Sequence, residues 1–262
     1  MRFAKWHGLG NDYLIVDREA WPLALTAARA RRICDPHFGV GGDGILEVSF
    51  EDGVPRMTVW NADGSQAENC GNGIRMVARH LEADGRLPAD GLILTGGGPV
   101  TVRTLDGDRV EVQMGRARFP AGERLHGLQV NGEVLELAEV SMGNPHAVVE
   151  HASPAEVVER LGPVIEVADR FPQRTNVEFV RSDGPSELTM RVWERGVGET
   201  LACGTGACAA AVAAVKTGLL PAEEALQIAL PGGVLQITVA ADLAGVLMRG
   251  PAERAFEGRT EL

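Results

Sequence analysis

The chain has 262 residues, enough to bury a large core as one big domain or two small ones. Its apolar fraction of 45% is that of an ordinary soluble protein, and a net charge of −11 argues against nucleic acid or an anionic membrane as partner. No window reaches the roughly 18 consecutive apolar residues of a transmembrane helix, and the opening MRFAKWHGLGND lacks a signal peptide's apolar core, so the chain reads as cytoplasmic.

In chain order, residues 2–6 read as a strand leading into the loop HGLGND, and Tyr13 to Val16 as the next strand. Ala24 to Ile33 reads as a helix with Arg on its outer face. GVGGDG, residues 39–44, is a Gly-rich turn without the spacing or following helix of a dinucleotide site. Ile45 to Phe50 and Arg56 to Trp60 form a hairpin over Asp52-Gly53. Loop 61–73 carries Cys70, and Ile74, Val77, Ala78 and Leu81 follow at helical spacing, with Arg75, Arg79 and Glu82 assigned to the outer face. Strands recur near 92–94, 100–104 and 109–114, and Phe119-Pro120-Ala121-Gly122 reads as a crossing between lobes. The order then repeats. Val134 to Met142 is strand-like and ends at GNPH, 154–161 is a short helix, and Thr175 to Val180 is a strand turning at Asp183-Gly184. Met190 to Trp193 leads into a Gly-rich loop with Cys203, and Ala207 to Val215 is an Ala-rich, wholly apolar and hence buried helix. Residues 234–240 and 245–249 are strands, and the tail 251–262 reads as irregular.

The repetition has a fixed offset of 133 residues. It lays Met57, Val59, Trp60, Cys70, Gly71 and Gly73 on Met190, Val192, Trp193, Cys203, Gly204 and Gly206, and carries Gly10-Asn11 onto Gly143-Asn144. A domain-sized period means two similar lobes. The expected fold is therefore α+β: two lobes, 1–118 with Cys70 and 119–262 with Cys203, each a curled, mainly antiparallel sheet around a central helix. The tail is expected to pack back on the first lobe.

Four cysteines without a C-x-x-C pair or zinc-like Cys/His spacing argue against both a disulfide framework and a metal site. Cys34 and Cys208 read as small buried hydrophobes. Cys70 and Cys203 each precede a helix start, where unpaired N–H groups and the dipole lower a thiol's pKa and bind carboxylate. Lysine occurs only at 5 and 216, neither in a recognisable Schiff-base setting for pyridoxal phosphate. Two matched thiols facing each other across a lobe interface suit cofactor-free inversion of a stereocentre, in which one removes a proton and the other returns one to the opposite face. Asn11, Asn61, Asn72, Asn144 and Asn176, in loops or at strand ends, suit a small zwitterion. Glu194 and Arg195 stand where the first lobe has Asn61 and Ala62, which suggests a lobe-specific contact.

The segments KWHGLGNDY (5–13), NADGSQAENCGNG (61–73), GNPH (143–146), RTNVEF (174–179) and WERGVGETLACGTGA (193–207) resemble the diaminopimelate epimerase family in motif and order along the whole chain. The resemblance implies a cytoplasmic enzyme, without cofactor or metal, that interconverts LL- and meso-2,6-diaminopimelate in lysine and peptidoglycan-precursor synthesis, often as a homodimer. It assigns Cys70 and Cys203 as catalytic acid and base. It makes Gly71, Asn72, Gly204 and Thr205 the cradle of the reacting carboxylate. Asn11, Asn61, Asn144, Asn176, Glu194 and Arg195 become substrate contacts, and His146 and Glu194 tuners of thiol pKa. Gly44, Tyr13 and Trp6 depart from the family's common Gln, Phe and Met. The alternatives are another cofactor-independent racemase, proline racemase-like, although His usually follows the first Cys-Gly there and this chain has Asn72, or a non-catalytic amino-acid-binding protein of the same fold.

Overall fold

Parallel neighbours in a sheet need a crossover connection, and four helices supply such crossovers here. The computed structural model describes all residues except Pro22, Glu68, Asn69, Glu123 and Leu262. It divides into two compact units, Met1–Val112 with Gly250–Leu262, and Gln113–Arg249.

The first unit runs β1 (Arg2–Gly8), β2 (Asn11–Asp17), α1 (Ala27–Cys34), β3 (Gly44–Glu51), β4 (Val54–Asn61), β5 (Gln66–Ala67), α2 (Gly71–Ala83), β6 (Asp90–Thr95), β7 (Gly98–Thr104) and β8 (Arg109–Gly115). The boundary between the units falls inside β8. Helix α1 bridges the parallel pair β2–β3, and α2 the parallel contact β4–β6. Thr26 caps α1 through its hydroxyl, so the helix begins three residues later than its apolar spacing predicts. Leu14, Val16, Ile45, Ala30 and Ile33 form one buried cluster under α1. Helix α2 is enclosed by β1 to β4, β6, β7 and a last strand, β18 (Glu253–Arg259).

The second unit repeats the plan: β9 (His126–Val130), β10 (Glu133–Ser141), β11 (Pro145–Glu150), α3 (Pro154–Glu166), β12 (Asn176–Gly184), β13 (Glu187–Glu194), β14 (Gly198–Glu199), α4 (Gly204–Lys216), β15 (Leu226–Leu230), β16 (Gly233–Val239) and β17 (Val246–Pro251). The pairs β11–β12 and β13–β15 are parallel, bridged by α3 and α4. Residues Gly206 to Ala214 are all buried, because small side chains let the sheet close on α4 from every side. Helices α2 and α4 have 13 residues each, and their limits differ by the 133-residue offset at both ends.

Four local expectations are corrected. The tail is the strand β18, antiparallel to β1, and occupies in the first unit the place β9 holds beside β10 in the second. Its alternation is masked because most of its side chains are exposed. Helix α3 does not stop at Leu161 but runs through Pro163 to Glu166. Gly162 is needed there for contact: a Cβ would lie 2.6 Å from the Trp193 side chain. The turn after β12 falls at Pro185-Ser186, with Asp183 and Gly184 still in the strand. Lastly, Arg75 is not on the outer face of α2 but fully buried, since its guanidinium finds oxygen acceptors inside the unit.

Candidate active site

A helix N-cap normally presents Ser, Thr, Asp or Asn oxygen to the third helical N–H. Here both central helices use sulfur. Cys70 caps α2 from an extended backbone, and its Sγ accepts from Gly73 N at 3.2 Å. Cys203 caps α4 in the same way, its Sγ accepting from Gly206 N at 3.3 Å. Thiol is a weak acceptor, so two thiol caps at one offset are poor helix chemistry and point to use of the sulfur. The N–H groups of Gly71 and Asn72, and of Gly204 and Thr205, lie in the first turns, where no intrahelical acceptor exists.

In the first unit, Asn72 Nδ2 donates to Asn11 Oδ1 at 3.0 Å, and Asn11 Nδ2 donates to Asp43 Oδ2 at 2.6 Å. Asn61 ends β4 and donates to Ser65 Oγ at 2.9 Å. The next residue, Ala62, donates its N–H to the Asp43 carbonyl. Cys70, Asn72, Asn11, Asp43 and Asn61 therefore form one connected region. Gly44 lies within it, and a Cβ there would meet Trp60 O at 2.3 Å and the Tyr13 ring at 2.6 Å. A side chain at position 44 would have to displace the Trp60 carbonyl and the Tyr13 ring, and with glycine there a Gln-like contact is absent.

In the second unit, the offset equivalents touch again. Asn144 Nδ2 donates to Thr205 Oγ1 at 3.3 Å, and Thr205 Oγ1 lies 3.5 Å from Cys203 Sγ. His146 Nε2 is 3.0 Å from Asn144 Oδ1, and its Nδ1 is 2.7 Å from Glu178 Oε1. Both members of that pair are fully buried. Asn176 Nδ2 donates to Pro145 O, and its Oδ1 accepts from Arg195 N. The Arg195 side chain is exposed, while Glu194 accepts from Thr200 Oγ1 at 2.5 Å.

The electrostatics of Cys203 run against the sequence expectation of a lowered pKa. Burial pushes its thiol well above the ordinary range, and the carboxylates of Glu194 and Glu178 push it further; the bonds from Thr205 and Gly206 oppose them. A helix start is a partial charge, and here it loses to complete desolvation plus two anions. Of the two residues expected to tune the thiol, Glu194 acts on it directly, whereas His146 is engaged with Glu178.

Glu178 and Asp43 escaped the sequence reading. Glu178 sat within the RTNVEF segment as a charged residue inside the run Val177-Glu178-Phe179-Val180, and a buried charge in a strand is a signal in itself. Asp43 was hidden in the Gly-rich turn. All four cysteines are free, and among the described residues no cluster of three or more His, Cys, Asp or Glu is placed to hold a metal ion.

Solved structures that share this fold include two described as epimerases. A predicted epimerase from Pseudomonas aeruginosa superposes with a TM-score of 0.76 at 17% identity, covering 100% of this chain and 99% of that one. A hydroxyproline epimerase from Agrobacterium vitis gives 0.71 at 13% identity, over 99% and 90%. At those identities the likeness is one of fold. The particular family follows from sequence: the diaminopimelate epimerase model matches residues 3–120 and 138–255, and the chain belongs to that family. Diaminopimelate epimerases of Alkalilimnicola ehrlichii and Synechocystis sp. are 44% and 41% identical, each over 100% of this chain and 99% of their own. That of Desulforudis audaxviator is 46% identical over 99% of both.

Proposed function

We propose that this protein is a cofactor-independent diaminopimelate epimerase that uses Cys70 and Cys203 as its acid–base pair. The observation that carries the reading is the matched pair of thiol-capped helices, 133 residues apart, in a chain of this family. One thiolate removes the proton from the α-carbon, and the other thiol returns a proton to the opposite face. Burial and the flanking carboxylates favour the thiol form of Cys203, which suits it to the acid's role for the stereoisomer from which Cys70 takes the proton. For the other isomer the roles exchange.

The α-proton of an amino acid is very weakly acidic, so the developing charge must be stabilised in place. The first-turn N–H groups of Gly71, Asn72, Gly204 and Thr205 do this at the reacting carboxylate. Asn11, Asn61, Asn144, Asn176, Glu194 and Arg195 hold the rest of the zwitterion, and the exposed Arg195 guanidinium suits the distal carboxylate. Cytoplasmic location, a role in lysine and peptidoglycan-precursor synthesis, and homodimer assembly belong to the same proposal. Among the described residues, no helix is long and apolar enough to cross a membrane. Likeness to the hydroxyproline epimerase is of fold alone and favours no proline substrate.

The test is direct. Purified protein without added cofactor should convert LL- to meso-diaminopimelate. A requirement for pyridoxal phosphate, or turnover of proline without turnover of diaminopimelate, contradicts the assignment.

A further inference from the structure

A side-chain amide presents an oxygen on one side and an NH2 on the other, and a 180° flip exchanges a donor for an acceptor at nearly the same position. A site that uses Asn to read a zwitterion must therefore lock each amide in one sense. In the first unit the lock is visible. Arg75 Nη2 donates to Asn72 Oδ1 at 2.9 Å, Asn72 Nδ2 donates to Asn11 Oδ1 at 3.0 Å, and Asn11 Nδ2 donates to Asp43 Oδ2 at 2.6 Å. The chain of amides ends in two groups of single role. A guanidinium only donates, and an ionised carboxylate only accepts.

Both ends are themselves fixed. Arg75 is fully buried, with Nη1 on Gly71 O at 3.1 Å and Nε on Pro251 O at 3.2 Å. Asp43 Oδ2 also accepts from Asp12 N at 2.9 Å. The offset equivalents in the second unit run the other way: Asn144 donates to Thr205, with its oxygen towards His146. The two units thus set their loop asparagines in opposite senses, which a merely structural repeat has no reason to do.

We propose that Asp43 and Arg75 are positioning residues that hold Asn11 and Asn72 in a single amide orientation for the substrate. This rests on the epimerase reading above. Each end alone imposes the same direction, so the device is redundant, and its signature is synergy between two residues that do not touch through their own side chains.

The experiment measures kcat, KM and Tm for Asp43→Asn, Arg75→Gln, the double variant, and Arg75→Lys with Asp43→Asn. Each single change should lower kcat/KM about 3-fold, since one single-role end survives. The double should fall about 100-fold, mostly in KM, well beyond the roughly 9-fold product of independent effects. Lysine is again donor-only, so Arg75→Lys with Asp43→Asn should stay within about 3-fold of Asp43→Asn alone. A double variant that matches the product, or a lysine combination as poor as the glutamine one, overturns the proposal. If Arg75→Gln does not fold, the lysine combination decides: a loss beyond about 10-fold relative to Asp43→Asn overturns it. An inactive wild type, or a fully active Cys70→Ser, refutes the epimerase reading instead.

Discussion

Replacing Gly206 by Ala probes the site behind Cys203 with a single methyl group. Gly206 is the third residue of α4, and its N–H is the one that donates to Cys203 Sγ. A Cβ at this position would lie 2.7 Å from Glu178 Oε1 and 3.2 Å from Cys203 Sγ. The carboxylate oxygen has to retreat by about half an ångström to restore a normal contact. It is not free to do so, because the same oxygen is 2.7 Å from His146 Nδ1 in a fully buried pair. Alanine is favoured over glycine in a helix by about 1 kcal/mol, while overpacking a tight interior costs about 1–3 kcal/mol. The net change in stability is then between about zero and 2 kcal/mol, a Tm decrease of roughly 0–8 °C. Activity should suffer as well. Misplacing a catalytic group by about 1 Å costs up to about 100-fold in kcat/KM, so a shift of about half that should cost about 10-fold or more. Epimerisation of LL-diaminopimelate and a thermal melt, made on the same preparation, separate the two effects. Gly73→Ala is the control, for there the closest contact is a Leu46 methyl at 2.9 Å, with no buried ion pair involved, and a smaller loss is expected. If Gly206→Ala keeps kcat/KM within threefold of wild type, the Cys203–Glu178–His146 geometry does not matter to the reaction.

Arg195→Lys keeps the charge but loses the fork that binds a carboxylate at two points, so KM should rise by about 10-fold or more; unchanged kinetics would move the distal contact elsewhere. Gly162→Ala puts a Cβ 2.6 Å from the Trp193 side chain, which Glu166 already holds through Nε1. It should cost about 1–3 kcal/mol, seen as a fall in Tm with kcat little changed; a variant as stable as wild type would contradict the packing argument. Burial, then Asp12 and Asp43, push the Cys34 thiol up to about 11. A raised thiol pKa contributes stability that is complete below the unfolded-state value near ~8.5 and is lost as pH climbs towards the folded one. Urea unfolding at pH 8 and pH 10.5 should show wild type losing roughly 2–3 kcal/mol more than Cys34→Ala over that interval; equal losses would rule Cys34 out as the source.

The parts of the fold that were legible in the sequence are those written in local pattern. The 133-residue offset, the Ala-rich α4 and the alternating hairpins carried the α+β plan and the matched cysteines. What stayed hidden depends on partners distant in the chain. β18 takes its place from β1, some 250 residues away, and its exposed face shows no alternation. Arg75 reads as a surface residue because its acceptors, Gly71 O, Asn72 Oδ1 and Pro251 O, are not a sequence pattern. The Cys203 thiol reads as activated because a helix start is a local feature, whereas the burial and carboxylates that outweigh it come from tertiary packing.

The central claim is that Cys70 and Cys203 each serve one face of the same α-carbon, and single-thiol variants in deuterated water test it most directly. Cys70→Ser and Cys203→Ser should each lose epimerisation by orders of magnitude. Each should still exchange the α-proton of the one isomer that presents it to the surviving thiol. Deuterium incorporation, measured separately with LL- and meso-diaminopimelate, should therefore show opposite isomer preference in the two variants. The same preference in both, or full epimerase activity in either, would contradict the account.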